Sequence, residues 1–141
     1  MFSPDGRWIA YHSHESGRNE VYVRPFPGPS GRSQISTGGG TYPTWSRTAD
    51  ELFYSVDGQI MVAPFAVEEN TFRVQKPRLW SDGRYLERPG NRGFDLHPEG
   101  DRFAVAVAPA AQQRSDSRQD RVVFISSFFD ELRKIAPATR K

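Results

Sequence analysis

The chain has 141 residues, of which 36% are hydrophobic and 13% aromatic, with 19 basic against 17 acidic side chains and no cysteine. That length predicts one domain or a piece of a larger one. The composition excludes a disulfide framework, thiolate chemistry and a charge-driven nucleic-acid binder, and no apolar run is long enough to span a membrane.

Twelve glycines and 11 prolines lie between short apolar runs, the pattern of strands and hairpins. In chain order the expected strands are Trp8 to His12, Glu20 to Arg24, Leu52 to Ser55, Gln59 to Phe65, Arg102 to Ala108 and Arg121 to Ser126. Helical spacing occurs once, at Phe128, Leu132 and Ile135, where Pro137 ends it. The expected class is all-β with a short helical tail over 129–136. The opening residues carry no basic segment followed by an apolar one, so no signal peptide is read there.

A repeat runs through these elements. Phe2 to Tyr11, Trp45 to Tyr54 and Leu96 to Val105 each read as a large apolar residue, a polar turn, then an apolar strand, with starts 43 and then 51 residues apart. A second element recurs downstream, as Val21 to Phe26, Ile60 to Phe65 and Val122 to Phe128. In the first turn Ser3 is placed to accept a backbone hydrogen bond, Pro4 presets φ, and Gly6 takes the left-handed conformation. His97, Pro98 and Gly100 keep that chemistry. Ser46 to Asp50 has neither proline nor glycine, which predicts a looser turn. Trp8 to Tyr11 and Leu52 to Tyr54 are apolar on both faces, as strands covered on both sides are. Four short strands every 45 residues or so, stacked face to face, describe a β-propeller blade. Trp8, Trp45 and Phe103 are expected to be buried between blades at equivalent places.

The run Phe2 to Tyr11 resembles the blade signature of TolB-like propellers, the WD-like repeats of many bacterial proteins. Gly38 to Ser46 is similar to that family's inter-blade loop, and Phe128 to Pro137 to the tail of propellers fused to bacterial Ser/Thr protein kinases. The resemblance implies about three blades of a partial propeller, at about 2–37, 42–81 and 93–128. Pro109 to Asp120 reads as a mobile polar loop inside the third. The first blade is expected to lack most of its innermost strand.

Catalytic, cofactor and metal motifs are not recognised in the sequence. Gly38, Gly39 and Gly40 lack the spacing of a phosphate loop and read as loop punctuation. His12, His14 and Glu15 could hold zinc, but they lead into a polar hairpin tip and read as solvated turn residues. His97 reads as turn-initiating. Arg133, Lys134, Arg140 and Lys141 read as a solvated basic end. Kinase motifs and a nucleophile elbow are both missing. These residues and the resemblance together imply a non-catalytic interaction or sensor module whose partner is a protein or peptide, with self-association through open blade faces. It would form the C-terminal part of a larger protein such as a propeller-fused kinase, extracytoplasmic if that parent is membrane-anchored. An accessory propeller of a prolyl oligopeptidase-like hydrolase, or a gene fragment without independent function, are the alternatives.

Overall fold

The computed structural model describes residues 1–28, 31–87 and 90–107, together with the backbone of Val122–Ile125. Every regular element among them is a strand, and no helix there is long and apolar enough to cross a membrane. The expected helical tail and the polar loop from Pro109 to Asp120 lie outside the described residues, as do the basic end and the C-terminal kinase-like segment.

Three antiparallel sheets follow one another along the chain. The first holds β1 (Trp8–Ser13), β2 (Glu20–Pro25) and β3 (Ser33–Gln34) in that order, with Phe2 bridged to Ile9 of β1. The second runs β4 (Thr41–Trp45), β5 (Glu51–Val56), β6 (Gln59–Glu68) and β7 (Thr71–Val74), and β8 (Arg78–Leu79) also pairs with β6. The third is β9 (Phe94–Leu96), β10 (Phe103–Ala106) and β11 (Val122–Ile125), with β10 in the middle. All six expected strands form. After β6 the chain forms two short strands, β7 and β8, rather than one, because Pro77 has no N–H with which to continue the ladder.

The register reproduces the repeat. Phe2 pairs with Ile9, Trp45 with Leu52 and Leu96 with Phe103, the same two aligned positions in each sheet. Because side chains alternate along a strand, position then dictates face. Leu52 and Tyr54 point toward the first sheet and pack with Trp8, Ala10, Val21, Val23 and Ile35. Phe53, between them, points the other way and packs with Ile60, Val62, Phe94, Phe103 and Val105. The second sheet is therefore covered on both faces, and Leu52 and Phe53 are each fully buried.

Trp8, Trp45 and Phe103 are buried as expected, but they are not equivalent. Trp45 occupies the position of Phe2, and Phe103 that of Ile9 and Leu52. Trp8 belongs to a different position that faces the second sheet. Any large aromatic satisfied the sequence pattern, whereas strand pairing separates the three.

The two tryptophans also differ in their polar handle. Trp45 Nε1 donates to the Met1 carbonyl at 3.2 Å, while Trp8 Nε1 is buried without an acceptor among the described residues. Trp45→Phe is thus expected to cost about 1 kcal/mol more than Trp8→Phe, the usual net value of one hydrogen bond. Paired denaturant titrations measure the difference, and equal losses would show that the Trp45 bond contributes nothing.

The three turns close in two ways. Gly6 N donates to Ser3 O at 2.9 Å with Gly6 at φ 71°, and Ser3 Oγ accepts from Trp8 N at 3.0 Å. Gly100 N donates to His97 O at 2.8 Å with Gly100 at φ 76°. The middle turn is pinned rather than loose, because the buried Ser46 Oγ accepts from Thr48 N at 3.3 Å and Ala49 N at 3.2 Å. A side-chain oxygen there replaces the glycine.

Candidate functional site

A cavity lies between the first and second turns, where one face of the first sheet meets the edge of the second. It has a volume of about 450 Å³, within the range of ligand clefts. One wall is the first turn, with Asp5 and Arg7, and the opposite wall is the middle turn, with Arg47 and Asp50. Trp8, Phe65 and Val67 supply its apolar surface.

The cleft exists because β6 overruns the repeat. The strand has ten residues where its counterpart β2 has six. Its second half leaves β5 behind and folds back on β7 through Glu69 and Asn70, both left-handed at φ 45° and 70°, the geometry of a two-residue hairpin turn. Phe72 returns from that hairpin to stack on Phe65 at 4.7 Å and to meet Trp8 at 5.2 Å. Arg7 Nη2 then reaches across to Asn70 Oδ1 at 2.8 Å, tying the first sheet to the hairpin. Asp5 is held below its ordinary pKa by the Ser3 hydroxyl and the Arg7 amide. Arg47 forms no ion pair among the described residues, so one guanidinium on the rim is uncommitted. The second and third turns are joined directly, where Thr48 Oγ1 donates to Glu99 O at 3.1 Å.

The residues weighed for metal binding are placed differently. His12 and His14 are exposed, and His12 Nδ1 accepts from Tyr42 N at 3.4 Å. Glu15 pairs with Arg32, whose guanidinium also lies 4.5 Å from the centre of the Tyr22 ring. These three do not form a cluster. Ligand atoms of His97, Glu99 and Asp101 do lie within 4.8 Å of one another. There Arg102 already supplies the cation, at 3.0 Å from Glu99 and 3.1 Å from Asp101. His97 Nδ1 accepts from Glu99 N at 3.3 Å, in keeping with a turn-initiating role.

Two buried polar groups escaped the sequence reading. Glu20 is 1% exposed. Burial pushes its carboxyl up, yet the Ser36 hydroxyl, the Gly39 amide at 3.1 Å and Arg18 at 2.6 Å together hold it below its ordinary value. The triple-glycine loop thus serves a carboxylate of its own chain. Gly40 sits where a Cβ would meet Ser36 Oγ at 2.7 Å. The second group is Ser55, which donates to Glu87 at 2.5 Å and accepts from Tyr85. Burial pushes the Tyr85 hydroxyl up to about 12. With Ser55 only 1% exposed and no imidazole beside it among the described residues, this trio fastens residues 81–87 to β5 and presents no nucleophile to solvent. No local signal distinguishes either group, because each is buried by residues more than a dozen positions away.

Comparison with protein-family models, with curated proteins and with solved structures found no match to this chain.

Proposed function

We propose that the three sheets are consecutive blades of a TolB-like β-propeller, and that the chain is a non-catalytic module that binds protein or peptide. In this reading it acts as the sensor or docking part of a larger protein, of the kind in which a propeller is joined to a bacterial Ser/Thr kinase. The observation that carries the proposal is the equivalence of faces. Leu52 with Tyr54, and Phe103 with Val105, pack against the preceding sheet. Ile9 and Tyr11 hold the same two positions in the first sheet and are only half-buried, with Tyr11 stacked on Tyr22 at 5.7 Å. A sheet of the same kind is the natural cover for that face, and exposed apolar patches mark interfaces. The residues lining the cleft include no histidine, and its hydroxyl–carboxylate pair, Ser3 with Asp5, is engaged in closing the first turn, which supports binding rather than turnover.

The isolated chain is expected to self-associate through this face, and Ile9→Lys to shift it toward monomer. Light scattering on a size-exclusion column measures both. A monodisperse, cooperatively melting monomer near 16.0 kDa overturns the reading.

A further inference from the structure

The second half of β6 has one open edge. Gln75 N donates to Pro64 O at 2.8 Å, and the ladder pairs Ala66 with Arg73 and Glu68 with Thr71. In an antiparallel ladder every second residue turns its main-chain groups away from the partner strand. Phe65 and Val67 are those residues here. Phe65 N finds the Asp50 carbonyl at 3.0 Å, on the side where β5 has already ended. Beyond it, the Val67 amide and the Phe65 and Val67 carbonyls have no strand beside them among the described residues.

This edge borders the cleft, whose lining Phe65 and Val67 help to form. Exposed strand edges are usually shortened, twisted away or covered, but this one is held out by the Arg7–Asn70 bond and flanked by aromatic surface. We propose that an extended peptide segment docks in the cleft by adding a strand to β6 at Phe65–Val67, with one apolar side chain against Trp8 and Phe65. The proposal rests on the reading of the chain as a binding module and names the kind of ligand and its mode of attachment. Main-chain hydrogen bonds supply affinity in such complexes, and alternate side chains supply selectivity. The occupant is therefore peptide in extended form, not a helix or a small anion.

A displayed library of short random peptides, panned against the full chain, provides the probe. Enriched peptides are expected to bind the parent and Leu79→Ala within about threefold of each other, since Leu79 lies on β8, away from the cleft. Val67→Pro removes the edge amide without breaking the β7 ladder, and is expected to weaken binding about tenfold or more. Should Val67→Pro fail to fold, N-methylation of alternate peptide amides against the parent chain supplies the same comparison, and slowed hydrogen exchange at Val67 on binding locates the contact. Peptides that bind but tolerate both N-methylation and Val67→Pro overturn strand addition and leave the binding module standing. A library from which nothing is enriched overturns both.

Discussion

Phe103→Ala is expected to lower stability by about 3–5 kcal/mol, the usual loss on truncating a buried large aromatic. Phe103 is 1% exposed and joins the second and third sheets, its ring centre lying 5.1 Å from Phe53, 4.8 Å from Trp80 and 5.7 Å from Phe94. Those three neighbours come from β5, from the segment after β8 and from β9, so the cavity has walls on separate elements that cannot all close on it. Domains of this size are stable by only about 5–15 kcal/mol. A loss on this scale corresponds to a fall in melting temperature of roughly 10 °C or more. Phe2→Ala is the control: its ring is 53% exposed and meets Phe26 at 5.0 Å, so its cost should stay near about 0.5 kcal/mol. Urea titrations of the two variants give the comparison. A Phe103 variant indistinguishable from the Phe2 variant would mean that the third sheet does not pack on the second.

The second large effect belongs to Glu20. Replacing it by alanine strands the Ser36 hydroxyl and the Gly39 amide, each at roughly 1–3 kcal/mol, so a total near 3 kcal/mol, to about a factor of two, is expected. Glu20→Gln keeps the volume and loses the charge. The carboxyl stands below its ordinary value of 4.5 in the folded chain, because hydrogen bonds from Ser36, Gly39 and Arg18 outweigh burial. A depressed carboxyl contributes stability that is present above the unfolded pKa and lost as pH falls through the folded one. The parent should accordingly lose stability on acidification below about pH 5, and Glu20→Gln should start lower and lose less. Denaturant midpoints from neutral pH down to about pH 3 test this. Parallel curves for the two proteins would show that Glu20 is not the group responsible. Glu15 is also held low by Arg32, but on an exposed pair that water screens, so its share is small.

Turns and strands could be read from the chain because their causes are local. Ser3, Pro4 and Gly6 specify a hairpin within a few residues, and period-two alternation specifies a strand within five. The aligned positions of Phe2, Trp45 and Leu96 prove to pair with those of Ile9, Leu52 and Phe103, since a similar turn length sets the register in each sheet. A loose middle turn was expected because Ser46 to Asp50 has neither proline nor glycine. The missing element was a buried hydroxyl, and burial is not a property of the turn.

Everything that makes the candidate site distinctive is non-local. The overrun of β6 past Phe65 has no signal of its own, as Ala66 and Val67 suit a strand end or a loop equally well. The strand persists because Phe72 returns from β7 to pack on Trp8 and Trp45. Glu20 reads as one more charged residue at the start of a strand until Ser36 and Gly39 close over it. The β-strands and their three repeats are legible in the residues alone, because they follow from side-chain period and turn chemistry over short stretches. The stacking of the sheets sets which apolar face is covered and which, at Ile9 and Tyr11, is left half-open. It also opens the cleft, because each of these depends on residues brought together from distant parts of the chain.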